Sequence, residues 1–283
     1  MKIGFLLDKI DEDIIKFLSL INYETVIFEK SKEFGEYFPE NNIKIIKTLN
    51  FENAIKQEDV KILFVDKNVN FKSNYAINIK IVENELERYI FDYEFYAVRS
   101  KKIENCIYFP YFIDFDFFSN FKSKFKKFDR IKRITILTNS FDATLISILE
   151  KLMSLKKEIK NLYFIVYQVY SEKTFPFVNF ISRELNKTER AELFLNSSLI
   201  ISIENRKKEV LEAMAMKRIA ITNDGFANTL KINFDKLLFT IKRALDFVEY
   251  EVNKIVASEY DIKKSAKIFE NEIKDFIEIN SKI

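Results

Sequence analysis

The 283 residues contain no histidine, no tryptophan, three glycines, three prolines and one cysteine. Without histidine there is no imidazole base, no imidazole metal ligand and no Ser-His-Asp relay. Gly4, Gly35 and Gly225 lie too far apart for a G-x-G-x-x-G turn or a P-loop. A plain dinucleotide-binding oxidoreductase therefore has no fingerprint here. A lone cysteine, Cys106, forms no intramolecular disulfide and fits a reducing compartment. Its setting, NCIYF, is apolar and reads as a buried small side chain. No uncharged apolar run approaches the roughly 18 residues of a membrane span. The opening MKIGFLLDKIDED turns acidic too early for a secretory leader. It reads as a first buried strand, and the expected location is cytoplasmic.

Hydrophobic residues make up 48% of the chain and charged residues 31%, a globular composition. The net charge of +3 is spread among mixed signs and makes no case for nucleic acid. The length suits two domains. Short apolar runs at 3–7, 25–28, 44–46, 61–65, 76–81 and 95–98 read as buried strands, with helical spacing at 11–20, 51–57 and 83–91 between them. A second series begins at 133–137. It continues with a helix over 142–157, a strand over 162–169 and a helix over 187–195. Then come a strand over 199–203, a helix over 208–216 and a strand over 219–222, before helical stretches at 234–250 and 261–279. Such alternation predicts two Rossmann-like α/β domains facing a cleft, with C-terminal helices. The boundaries read as 1–112, a linker at 113–132, and 133–283.

Within the linker, Phe118, Phe121, Phe125 and Phe128 recur at helical spacing among Lys122, Lys124, Lys126 and Lys127. This is either a basic amphipathic segment (118–128) that touches an anionic membrane at its inner face, or a surface helix packing its Phe side on its own protein. Aromatics among lysines also occur in single-strand binders, but no RNP-like pattern or second basic patch accompanies them.

The richest stretch is Glu204-NRKKEVL-Glu212 followed by AMAMKRIAITND. Glu204 falls in the loop after the strand at 199–203, and Glu212 inside the next helix. The carboxyl ends of parallel strands are where open α/β sheets take ligands, and a helix start favours anions. The same dipole also favours ordinary helix-start glutamates, so spacing alone leaves both readings open.

Here the chain resembles the retaining GT-B glycosyltransferases of the group-1-like family. Their mark is a Glu, seven residues, a second Glu, a small-residue helix and a buried strand. ELFLNSSLIISI, YFPYFIDFDFF, KEIKNLYFIVYQV, FVNFISRELNK and SEYDIKKSAKIFENEIKDFIEI resemble the family's flanking segments, so the likeness runs over about residues 95–283. It implies transfer of a sugar from a nucleotide diphosphate sugar to a glycan, lipid or protein acceptor, with retention. It also implies no metal ion and no cofactor beyond the donor substrate, the diphosphate being neutralised by protein groups. Glu204 would contact the donor sugar and Glu212 the ribose, since a carboxylate accepts two hydrogen bonds from a diol. Arg206, Lys207 and Lys208 would face the phosphates, and Asn223 would line the donor pocket. The first domain would serve the acceptor and the second would bind the donor.

The chain also departs from the family. Asn205 and Lys207 stand where glycines usually let backbone N–H groups reach the phosphates. Asn139 and Thr144 stand where a basic pair usually neutralises the leaving diphosphate, which removes electrostatic stabilisation. These departures keep open a catalytically degenerate GT-B-like domain that acts as a binding or assembly partner. Two further features have simple readings. Asp114 and Asp116 could ligate a cation but read better as a loop after a strand. Asp11-Glu12-Asp13 reads as an acidic first helical turn.

Overall fold

The computed structural model describes residues 1–40, 42–122, 131–171, 174–204, 206–246 and 252–280, apart from the side chains of Asn228, Asp246 and Val252. The chain divides into two compact units, Met1–Phe112 with Ile262–Ile283, and Ile113–Asp261.

In the first unit the strands are β1 (Lys2–Leu6), β2 (Glu24–Lys30), β3 (Gly35–Glu40), β4 (Ile43–Thr48), β5 (Val60–Val65), β6 (Ile77–Val82), β7 (Phe95–Val98) and β8 (Ile107–Tyr108). They form one sheet in the order β3-β4-β2-β1-β5-β6-β7-β8. Only β3 runs antiparallel, against β4. Strand periodicity splits the side chains between two buried faces. Ile3, Phe5, Ile62 and Phe64 face one core, while Leu6, Leu63 and Val65 face the other. Helices α1 (Glu12–Ser19) and α2 (Phe51–Gln57) lie in the connections. Asp11 caps α1 by accepting from the Ile14 N–H, and Glu12 and Asp13 fill its first turn as the sequence reading expected. The stretch 83–91 is a 3-10 turn over Glu85–Tyr89 rather than an α-helix. It buries no side chain, so no apolar stripe exists to hold a longer helix.

The second unit carries β9 (Lys132–Leu137), β10 (Leu162–Tyr167), β11 (Val178–Ile181), β12 (Leu199–Ser202), β13 (Ile219–Thr222) and β14 (Leu230–Lys231). Their order is β11-β10-β9-β12-β13-β14, parallel throughout. Its helices are α3 (Phe115–Asn120), α4 (Ala143–Glu158), α5 (Lys187–Leu195), α6 (Lys207–Ala215), α7 (Leu237–Asp246) and α8 (Val252–Glu259). Leu145, Leu149 and Leu152 of α4 pack on Ile134, Ile136, Leu199 and Ile201. The order places β9 and β12 side by side at the centre, with Ser202 opposite Leu137.

The final helix, α9 (Ile262–Asn280), belongs to the first unit. The sequence reading grouped it with residues 133–261. Its Phe269 lies among the rings of Phe5, Phe64 and Phe109, at centroid distances of 6.3, 5.3 and 4.7 Å. Its apolar face was legible, but its partner was not.

Within the stretch read as a linker, the described residues 113–122 are part of the second unit. Asp114 caps α3 by accepting from the Phe117 N–H at 3.3 Å, and its other oxygen pairs with Lys187 at 2.9 Å. That carboxylate is therefore committed inside the unit rather than open to a cation. Phe118 is 1% exposed, a core side chain rather than a membrane-facing one. The helix ends at Asn120, and Phe121 is already extended. Phe125, Phe128, Lys124, Lys126 and Lys127 lie outside the described residues. Among the described residues no helix is long and apolar enough to cross a membrane.

Candidate functional site

Strand register assembles the site. Because Ser202 pairs with Leu137 and with Thr222, the residues just past β12 lie between the loops that follow β9 and β13. Ile203 N–H donates to the Leu137 carbonyl at 3.0 Å, carrying the register one residue beyond the sheet. Glu204 then meets Thr138, Asn139 and Ser140. On the other side, the Asn223 amide donates to the Ile203 carbonyl. These carboxyl ends border a depression of about 170 Å³ lined by Glu204, Arg206, Lys207, Thr222, Asn223 and Phe226, among others.

Both oxygens of the Glu204 carboxylate are engaged. Its Oε1 accepts from Thr138 Oγ1 at 3.1 Å and Ser140 Oγ at 2.7 Å, and its Oε2 accepts from the Asn139 N–H at 3.0 Å. It bridges the β12–α6 loop to the β9–α4 loop.

Arg206, 7% exposed, precedes α6. Its Nη1 donates to Asn139 Oδ1 at 2.9 Å and its Nε to Glu209 Oε1 at 3.0 Å. The guanidinium lies over the Tyr167 ring, 5.2 Å from the centroid, within cation–π range. Tyr167 is itself fixed at the end of β10, where its hydroxyl accepts from the Leu185 N–H at 3.1 Å. Burial pushes that phenol above its ordinary value. Lys207 Nζ lies 5.1 Å from the Phe226 ring centroid, on the depression. Lys208 stands on α6 outside that lining. Asn205 lies outside the described residues, and Thr144 sits in the first turn of α4, away from the depression.

Glu212 was expected to face a ribose. The structure places it elsewhere: it is 0% exposed, and its two oxygens accept from Arg190 Nη2 and Nε at 2.7 and 2.8 Å. The physical reason is position on the helix. Glu212 projects from the face of α6 that packs on α5 rather than from its amino end. Burial pushes its carboxyl upward, against the downward pull of Arg190 and Lys208. Burial also works against the Arg190 charge, but Glu212 and Glu209 outweigh it and hold the guanidinium ionised, above its ordinary value. Arg190 further donates to the Leu185 carbonyl at 3.0 Å.

Sequence reasoning missed Arg190, Tyr167, Thr138, Ser140 and Glu209. The usable signal was the register of β9 against β12, which puts TNS beside Glu204. Arg190 and Glu212 are 22 residues apart on different helices, and no periodicity links them.

No protein-family model matches the sequence, and no curated protein matches it. Solved structures do match. AviGT4, a glycosyltransferase involved in avilamycin A biosynthesis, aligns over 98% of both chains with a TM-score of 0.63 and 8% identity. S. aureus MnaA in complex with UDP aligns over 99% of this chain and 98% of its own, at 0.58 and 11%. An alpha,alpha-trehalose 6-phosphate synthase from Burkholderia multivorans aligns over 97% of both chains, at 0.58 and 6%. Identities this low speak for the architecture, and the architecture is the GT-B fold.

Proposed function

We propose, starting from a chain with the GT-B fold, that this protein is a glycosyltransferase moving a sugar from a nucleotide diphosphate sugar to a glycan, lipid or protein acceptor with retention. The observation that supports this reading most is the depression at the carboxyl ends of β12 and β13, beside β9. There two carboxylates (Glu204 and Asp224), two cations (Arg206 and Lys207) and an amide (Asn223) border one space. Open parallel sheets take ligands at that edge, and the cations suit a diphosphate. In the transfer, the bond from the sugar's anomeric carbon to the diphosphate oxygen breaks. A bond to an acceptor oxygen forms on the same face, and the acceptor's proton leaves with the diphosphate. Arg206 and Lys207 supply positive charge for the leaving group, with Lys208 adding charge from outside the lining; Asn223 flanks it, Asn139 steadies Arg206 through its Oδ1, and Glu204 orients the sugar hydroxyls. Glu212 acts through Arg190 by holding α6 in place.

The test is thermal shift with a panel of UDP-, GDP- and ADP-sugars. A ligand at 100 times its Kd adds about 2.7 kcal/mol, a readily visible shift, and Lys207→Ala should shrink it. If no nucleotide sugar stabilises the protein at millimolar concentration, the transferase reading is wrong. Proton NMR of the product's anomeric centre then tests retention.

One observation favours a second reading, a degenerate GT-B domain that binds without catalysing. Glu204, Arg206 and Glu212 all have partners within the protein itself.

A further inference from the structure

The partners of Glu204 are those an entering phosphoryl group would need. The loop Thr138-Asn139-Ser140 leads from β9 into α4, and it offers two hydroxyls to one oxygen of a single carboxylate and one backbone N–H to the other. Asp142 caps α4 by accepting from the Leu145 N–H at 2.9 Å, so that donor of the helix start is already taken. The three converging donors are oxyanion donors by geometry and chemistry. In this structure the oxyanion they hold is a side chain of the same protein.

We propose that Glu204 is an internal latch. Its carboxylate occupies the oxyanion-binding loop of the second unit and must leave before a diphosphate can use Thr138, Asn139 and Ser140. This rests on the reading of the depression as a donor site and adds how that site is controlled. Two physical arguments carry it. The first is competition for donors: the Ser140 hydroxyl has one hydrogen and gives it to Glu204 at 2.7 Å in preference to Asp142 at 3.2 Å, leaving none for an incoming oxygen. The second is charge: Glu204 borders the same depression as Arg206 and Lys207, so an anion drawn in by the cations meets a fixed carboxylate, and like charges brought together are costly. When the carboxylate swings out, the loop donors are freed and its oxygens become available for hydroxyls. Diphosphate entry and release of Glu204 toward the sugar are then one event. The Arg206 bond to Asn139 Oδ1 keeps the loop in shape while the latch is open.

The latch is read from the loop donors as well as from charge. If Glu204 merely bordered the site, losing its charge would ease anion binding by relieving repulsion alone, and the charge-retaining Glu204→Asp would bind pyrophosphate as the wild type does. A latch makes Glu204→Gln bind inorganic pyrophosphate at least about tenfold more tightly, the factor that about 1.4 kcal/mol supplies. Isothermal titration of the full chain with pyrophosphate and with UDP reads this directly. Adding Ser140→Ala to Glu204→Gln should take back most of the gain, since it removes a loop donor. Glu204→Asp, whose shorter carboxylate cannot span all three donors, is the second variant should the Gln form fail to fold; it too should bind pyrophosphate more tightly, by a smaller factor. Unchanged or weaker pyrophosphate binding in these variants overturns the latch. Tighter pyrophosphate binding with no response to any nucleotide sugar supports the latch and sinks the transferase reading. Equal affinities for UDP and pyrophosphate in wild type and variants, with nucleotide sugars bound, sinks the latch alone.

Discussion

Replacing Arg190 by Met tests the buried pair more sharply than any other single change. Glu212 is 0% exposed and Arg190 donates to both of its oxygens, at 2.7 and 2.8 Å. Met keeps much of the side-chain volume but leaves a carboxylate inside the protein with no counter-charge. Breaking a buried pair from one side typically costs about 3–5 kcal/mol, a large share of the roughly 5–15 kcal/mol that holds a domain together. The loss should also depend on pH with a defined sign. Burial pushes the Glu212 carboxyl up even in the intact protein, and without Arg190 the opposing pull is gone. In the unfolded chain the same group titrates in the ordinary carboxylate range. Between those two values the folded variant holds a proton that the unfolded chain has released, so its stability falls as pH rises through the window. Each unit of that window is worth about 1.4 kcal/mol. The loss should therefore be larger at pH 8 than at pH 5. Urea unfolding followed by circular dichroism at both pH values, at constant slope, gives the measurement. The double variant Arg190→Met/Glu212→Leu should recover most of the loss, because an apolar pair of similar volume replaces a buried ion pair at little cost. A loss below about 1 kcal/mol at pH 8, or an equal loss at pH 5 and pH 8, would refute the account of Glu212 as a buried charge held by Arg190.

Two further outcomes follow from packing. Gly4 lies in β1 where an added Cβ would come within 2.8 Å of Val60 Cγ1 and 2.9 Å of Leu63 Cδ1; Gly4→Ala should cost about 1–2 kcal/mol by overpacking, less the backbone entropy that alanine saves, read from the urea midpoint. Burial pushes the Cys106 thiol above its ordinary value, so its alkylation by iodoacetamide at pH 7.5 should be slower than that of a free cysteine and should accelerate in urea; equal rates would show that the thiol is not shielded.

The parts of this protein that were legible in its sequence are those that depend on local pattern. The runs LIIS and IAIT are apolar up to their last residues, Ser202 and Thr222, because strands covered on both faces have little polar side, and the structure makes them β12 and β13. The α6 boundaries fell within one residue of the expected 208–216. The edge strand β3 was not legible: GEYFPE is largely exposed, so its alternation carries no core signal. The spacing of Glu204 and Glu212 marked the right segment, yet equal spacing from a loop and from a helix interior leads to opposite environments. Glu204 lies at a sheet edge, and Glu212 turns inward onto α5. That outcome depends on which face of α6 meets Arg190, a tertiary contact that no short window of sequence encodes.

The placement of α9 has a consequence for how the chain is made. The first unit's core includes Phe269 and Ile273, which emerge from the ribosome only after every residue of the second unit. The second unit is contiguous, and its two ends are clasped where the Ile113 N–H donates to the Tyr260 carbonyl at 3.0 Å. Vectorial synthesis therefore lets the later domain finish first. Until α9 arrives, the sheet of β1 and β5 waits with Phe5 and Phe64 uncovered on one face, and that interval is when the nascent chain is most open to chaperone capture or aggregation.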